Sequence, residues 1–330
     1  MRIVFRTEGN HAQGMGDLMG SLALADEYAK QSDDLLFVIS GGDEAIAAIA
    51  GRGYRHQTAA TFGDEQEVLR SFRPDVIIVN KLNNDPAYIK SLKELAGLVV
   101  TMDDAGEGAR HADLRVNPLY HVPEAVTDPQ YVALRSEFQE FHKQAKAIRS
   151  EVRELLVTQG GSDTYGFAPR ILRSLESMTI RPRCTVVVGP AFRHETELRQ
   201  AVAASTLDLT VARNARNMAE LMWNADLAIT AAGLSMFELL CVGTPSLVVC
   251  AEPFEVETAA RLEKTGAVVN LGFGRDVNYA QLPKAVEALV MDTERRRQLS
   301  IRGKQLVDGL GCERIVGLIR DRVVEGVRTR

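Results

Sequence analysis

Thr230-Ala-Ala-Gly-Leu-Ser-Met-Phe-Glu238 is the stretch on which the fold turns. It continues the apolar run Asp226-Leu-Ala-Ile-Thr230 and opens a helical segment, Met236-Phe-Glu-Leu-Leu-Cys-Val242. Gly243-Thr-Pro245 stops that segment, and a second apolar strand, Ser246-Leu-Val-Val-Cys250, follows. A strand, a glycine turn and a helix in this order leave backbone N–H groups and the positive end of the helix dipole facing an anion. Ala231, Ala232, Gly233 and Ser235 are small enough to admit a phosphate to the backbone. Glu238 lies one turn into the helix, where its carboxylate can accept hydrogen bonds from the two hydroxyls of a ribose. This is a nucleotide-binding pattern. An ordinary strand–turn–helix with Glu238 as a helix charge is the alternative that the same residues allow.

The pattern repeats outward in both directions. In the first half, strands over 3–6, 35–40, 76–79, 98–102 and 114–117 alternate with helices over 18–30, 43–50, 65–72 and 86–95. In the second half, strands over 155–158, 184–189, 207–211, 226–230, 246–250 and 267–270 alternate with helices over 167–175, 195–203, 218–223, 236–242 and 258–265. Helices over 293–306 and 313–327 follow. Continuous apolar strands between amphipathic helices predict parallel sheets covered on both faces. Pro123, Pro129 and a charged helical run over 136–154 mark a linker, so two doubly wound α/β domains are expected, 1–148 and 149–330. Ligands in such sheets bind at the carboxyl ends of the strands, so a cleft between the two domains is the expected site.

Composition narrows the partners. A net charge of -5 gives no basic footprint for nucleic acid. No apolar run approaches ~20 residues, so no transmembrane segment is expected. The start, Met1-Arg-Ile-Val-Phe-Arg6, reads as a first strand and not as a signal peptide. Cys184, Cys241, Cys250 and Cys312 have no CxxC spacing and read as buried thiols of a cytoplasmic protein, with neither disulfide nor zinc. The six histidines form no metal pattern, and neither metal nor cofactor is expected.

Three further stretches carry chemistry. In Gly14-Met-Gly-Asp17, Gly14 and Gly16 permit tight backbone beside a ligand, and Asp17 is either a general base facing the cleft or a helix N-cap. The spacing is not GxGxxG, which disfavours a dinucleotide fold. In Gln159-Gly-Gly-Ser-Asp163, Gly160, Gly161 and Ser162 can touch a diphosphate or sugar, or Ser162 or Asp163 can cap the next helix. Asp103-Asp104 ends a strand and suits substrate hydroxyls or structure better than metal. His11, in the first loop, reads as solvated.

With these residues placed, the chain resembles the UDP-sugar hydrolase of pseudaminic acid biosynthesis and its spore-coat-polysaccharide relatives. It is similar, more distantly, to the peptidoglycan N-acetylglucosaminyltransferase. The resemblance covers nearly the whole chain and rests on the stretch from Gly14 to Ala25, Met102-Asp-Asp104, Ala112-Asp-Leu114, Asn117-Pro118 and Tyr131-Val-Ala-Leu-Arg-Ser-Glu-Phe138. Further on it rests on Gly160-Gly-Ser-Asp163, Val186-Val-Val-Gly189, Asn217-Met-Ala-Glu-Leu-Met222, Ala225-Asp226 and Ala231-Ala-Gly233 with Glu238. It implies the GT-B fold, two Rossmann-like domains with the donor nucleotide held mainly by the second. By the same resemblance Glu238 would hold the ribose, Ala232 with Gly233, Leu234 and Ser235 the diphosphate, and backbone near Met218 the base. Gly160, Gly161, Ser162 and Gly189 would complete the nucleotide side.

Three departures fall in the reacting half. Asp17 stands where the hydrolase family has the histidine of Gly-x-Gly-His. Asn80-Lys-Leu82 stands where it has a tyrosine after Asp-His. Phe254-Glu255 stands where it has Asn-Gln. Leu82, Phe254 and Glu255 are therefore expected on the substrate side with Asp103 and Asp104. The expected function is a glycosyltransferase of surface glycan or flagellin sugar metabolism. It would take a UDP-sugar donor and an unidentified acceptor. Asp17 would be the base, and the helix dipole at Gly233-Leu-Ser235 would stabilise the departing diphosphate. A nucleotide-sugar hydrolase and a non-catalytic nucleotide-sugar-binding protein are the alternatives.

Overall fold

The structure, a computed structural model, describes residues 1–12 and 14–328. The chain forms two units: Met1–Arg135 together with Gly309–Arg330, and Ser136–Asp308.

Unit 1 is built on a six-stranded sheet in the order β3-β2-β1-β4-β5-β6, all pairs parallel. The strands are β1 (Arg2–Gly9), β2 (Asp34–Gly41), β3 (Arg55–Thr58), β4 (Val76–Asn80), β5 (Leu98–Met102) and β6 (Leu114–Val116). Helices α1 (Gly16–Ala29), α2 (Asp43–Ala50), α3 (Phe62–Phe72) and α4 (Pro86–Lys93) connect them. Every residue of β4 and β5 is buried, as a central parallel strand requires. β3 is an addition to the expected strands. Its sequence, Arg-His-Gln-Thr, is mostly exposed at the sheet edge and carries no apolar signal.

Unit 2 begins with α5 (Ser136–His142) and repeats the architecture, with strand order β12-β11-β10-β7-β8-β9. Its next elements are β7 (Glu154–Thr158), α6 (Phe167–Leu175), β8 (Arg183–Val188), α7 (Glu195–Ala203), β9 (Leu209–Arg213), α8 (Met218–Asn224) and β10 (Leu227–Thr230). They continue with α9 (Leu234–Val242), β11 (Ser246–Cys250), α10 (Glu255–Lys264), β12 (Val269–Phe273), α11 (Leu282–Met291) and α12 (Thr293–Leu306). The helical run expected over 136–154 is corrected: the helix there is Ser136–His142. Side chains hold the stretch beyond it in a non-helical path. Lys146 Nζ donates to the carbonyls of Trp223 and Ala225, and the buried Arg296 donates to those of Arg149 and Ser150. Gly243, at φ 76°, ends α9 in the left-handed conformation that glycine accepts without strain.

The expected boundary is 148/149; the two compact units divide at Arg135/Ser136, and the segment from Gly309 belongs with unit 1. Its helix α13 (Gly311–Arg328) buries Cys312, Ile315, Val316 and Ile319, and its Arg320 pairs with Asp33. A methyl group on Gly311 would collide with the Val132 carbonyl, so the helix can start there only with glycine. Among the described residues no helix is long and apolar enough to cross a membrane.

Candidate functional site

In each sheet the strand order reverses once, between β1 and β4 in unit 1 and between β7 and β10 in unit 2. At such a switch point the connections leave in opposite directions and open a crevice at the carboxyl ends of the two strands. Of the residues singled out from sequence, Gly14, Gly16, Asp17 and Leu82 follow β1 and β4, and residues 160–162 and 232–235 follow β7 and β10; the others follow neighbouring strands.

In unit 1 the loop after β1 closes on itself. Asn10 and Gly14 exchange backbone hydrogen bonds at 2.9 and 3.1 Å, and Gly14 takes φ 84° to do so. Gly16 then begins α1 with open space around it. The helix N-cap is Met15, so Asp17 is a residue of the first helical turn and not the cap. From β4, Asn80 Nδ2 donates to the Asp17 carbonyl at 2.8 Å and to Ser21 Oγ at 3.2 Å, which fixes the start of α1 against the strand end. Asp17 is half-buried. Burial, reinforced by the charges of Asp103, Glu8 and Asp104, pushes its carboxyl from the ordinary 3.8 up to about 8. Burial likewise pushes Asp103 up to about 7, against the Leu119 N–H that its carboxylate accepts at 3.0 Å.

Glu8 and Lys81 are not among the residues that the sequence singles out. Glu8 stands near the end of β1, accepts from Ser40 Oγ at 2.8 Å and lies 3.4 Å from Lys81 Nζ. Its one sequence signal is a charge near the carboxyl end of an apolar strand. Leu82 follows Lys81 and is half-buried. Asp104 is expected on the substrate side or in a structural role. It is fully buried, and its carboxylate accepts from Asn84 N, Asn84 Nδ2 and Gly106 N at 3.2, 2.8 and 2.8 Å. Those bonds take up most of the roughly four acceptor sites of a carboxylate.

In unit 2 the exits of β8, β7, β10 and β11 stand side by side. They carry, in that order, Gly189, Gly160-Gly-Ser162, Ala231-Ala-Gly-Leu-Ser235 and the approach to Glu255. A methyl on Gly189 would lie 2.5 Å from Gly161 Cα, and Ala191 N donates to the Gly161 carbonyl at 3.1 Å, so these two glycine loops touch through backbone. Ser162 Oγ lies 3.1 Å from Thr164 Oγ1. Asp163, ahead of the Gly166 N-cap, bonds the start of α6, its carboxylate accepting from Phe167 N and Ala168 N at 2.7 and 2.9 Å. α9 begins at Leu234 with Gly233 as N-cap, and Glu238 is buried within it. Met218 opens α8 after β9, at the outer edge of the sheet.

Gln159, in sequence only the lead-in to the glycines, is 3% exposed. Neither polar atom of its amide has a hydrogen-bond partner among the described residues. Phe254 is exposed. Glu255 beside it is buried and turned onto the backbone of the Ala231–Gly233 region, with bonds from Ala232 N and Ala251 N. Cavities lined by Tyr54, Arg55 and Phe72 and by Arg170, Glu176 and Tyr279 contain none of these residues.

Residues 137–307 match the family described as the glycosyltransferase family 28 C-terminal domain, a span that coincides with unit 2. The chain belongs to this family. The family 28 chain is 24% identical to the spore coat polysaccharide biosynthesis protein SpsG of Bacillus subtilis, over 97% of its own length and 98% of that protein's. It is 28% identical over 75% of its length to an uncharacterized protein of Methanocaldococcus jannaschii, and spans 55% of that longer relative. Among solved structures it is similar to MurG of Acinetobacter baumannii, with a TM-score of 0.68 at 15% identity, covering 97% of this chain and all of that one. That likeness establishes the GT-B fold, two Rossmann-like parallel-sheet units.

The acids of unit 1 make a pH prediction. A carboxyl whose proton is held more tightly in the folded state binds more protons folded than unfolded between its two pKa values. Stability therefore falls as pH rises through that window. For Asp17 the window runs from 3.8 to about 8. Asp17→Asn should melt above the wild type at the alkaline end of this window, with the gap closing towards its acid end. Calorimetric scans across the window showing a constant difference would contradict the raised carboxyl.

Proposed function

We propose that the chain is a glycosyltransferase-type enzyme of surface glycan or flagellin sugar metabolism, taking its sugar from a UDP-linked donor. The supporting observation is the convergence at the switch point of unit 2, where the glycine loop after β7 adjoins the turn that starts α9 inside a family 28 domain. Gly160, Gly161, Ser162 and Gly189 line the diphosphate on one side, and Gly233, Leu234 and Ser235 hold it with the N-terminal N–H groups of α9. Glu238 takes the ribose and the backbone at Met218 the base. Asp17 removes the proton of the acceptor hydroxyl as that oxygen bonds to the anomeric carbon and the bond from the carbon to the diphosphate breaks. Gly14, Gly16, Leu82, Asp103 and Phe254 shape the sugar and acceptor side.

UDP should raise the melting temperature, because a ligand bound only by the folded state stabilises it, and Glu238→Ala should lose most of that shift. Incubated with a UDP-sugar alone, the protein should release UDP slowly and accelerate when a soluble-sugar and protein fraction supplies the acceptor. Calorimetry without UDP binding would remove the nucleotide reading. Rapid release of free sugar in buffer, unchanged by any acceptor, would establish a hydrolase instead.

A further inference from the structure

The turn that starts α9 already holds an anion, and the chain supplies it. Glu255 Oε2 accepts from Ala251 N at 2.7 Å, from Ala232 N at 3.2 Å and from Glu252 N at 3.4 Å. The other oxygen stands over the next residue of the turn, since a methyl on Gly233 would lie 3.2 Å from Glu255 Oε1. The residue is 7% exposed. Among the described residues, the titratable groups coupled to it include Glu252 on its own loop and the Cys250 thiol at the end of β11. Glu252 is itself bonded by Tyr165 OH at 3.0 Å and answered by the charge of Arg275. Burial outweighs the three N–H donors and pushes the Glu255 carboxyl up to about 7.

We infer that Glu255 couples anion binding at this turn to a proton: its carboxylate fills the Ala232 N–H with the chain's own charge, so a phosphate-bearing ligand is taken up there together with one proton on Glu255. This rests on the nucleotide reading above. Two anions cannot share the donors of one turn without strong repulsion in a poorly solvated site. A proton taken from solvent onto a Glu255 oxygen removes that charge and turns the oxygen into a donor able to face a phosphate oxygen. No covalent bond other than that O–H forms or breaks. Ligand affinity at this turn then depends on pH.

The test is calorimetry of UDP binding to the wild type and to Glu255→Gln, in two buffers of different ionisation enthalpy, from about pH 6 to about pH 9. The terminal phosphate of UDP titrates near the acid end of that range (about 6) in both proteins, so the difference between them isolates Glu255. The wild type should take up close to one proton above the carboxyl's pKa, and its Kd should rise by up to roughly tenfold per pH unit there. The variant should take up none from this group and hold its affinity. UDP-glucose, whose phosphates keep a fixed charge over the range, gives the same proton count from the wild type alone if the variant folds poorly. Binding with no proton uptake by the wild type, or with equal uptake and equal pH slope in both proteins, overturns the inference. Failure of both proteins to bind UDP, UDP-glucose and pyrophosphate at any pH overturns the nucleotide reading, and this inference with it.

Discussion

Asp17→Asn should fold, bind UDP with nearly unchanged affinity, and turn over at least roughly 10²-fold more slowly with donor and acceptor present. Asparagine keeps the shape of the side chain and cannot accept a proton. The alternative role, a helix cap, would instead show as a stability loss of about 0.5–2 kcal/mol on Asp17→Ala with turnover kept. The Met15 N-cap already argues against that role. The wild-type rate should rise with pH to a limb near about 8, where Asp17 loses its proton. After burial itself, the charge of Asp103 weighs most on Asp17, so Asp103→Asn should move the limb to lower pH. The limb belongs to the coupled group of acids, and its displacement, more than its position, identifies the partners. Full turnover by a well-folded Asp17→Asn protein would remove Asp17 from the chemistry.

Arg296→Met should destabilise unit 2 by about 1–3 kcal/mol for each of its carbonyl partners that water cannot reach. Arg296 is fully buried in α12. Its Nη1 donates to the carbonyls of Leu289 and Val290. Its Nη2 donates to those of Arg149 and Ser150 at 2.7 and 3.1 Å and to Thr293 Oγ1 at 3.2 Å. Methionine fills much of the volume and satisfies none of these oxygens, each of which then costs roughly 1–3 kcal/mol wherever water cannot reach it. The measurement is simplified by composition. The single tryptophan, Trp223, lies in α8 of unit 2, so its fluorescence during denaturant unfolding follows that unit alone. An unchanged midpoint would show that the carbonyls find other partners.

The fold is legible in the sequence where the signal is periodic and apolar, and the candidate site where a turn has its own chemistry. α6, α7, β11 and α12 lie at the bounds that the sequence pattern predicts. The pattern does not reveal α11, although Pro283 in its first turn removes no helical hydrogen bond. Asp103 and Asp104 are indistinguishable in sequence. The backbone separates them: Asp103 sits at φ 47°, in the left-handed region, while Asp104 turns into the Asn84–Gly106 loop contact. For Glu255 the sequence shows only a changed group on the substrate side. Its partner, Ala232 N, lies 23 residues earlier on a different strand exit, a pairing that only the parallel register of β10 and β11 creates. Glu8 and Lys81 escape notice for the same reason, since neighbouring strand ends are distant in sequence.

The return of α13 to unit 1 has a consequence for biosynthesis. A ribosome delivers residues 1–135 before unit 2, and only afterwards the helix on which α1 and the Val132 region pack. Unit 2 is contiguous and lies entirely between the two pieces of unit 1. Without the segment from Gly309, α1 lacks the α13 wall against which it packs. That segment therefore joins residues made first to residues made after all of unit 2.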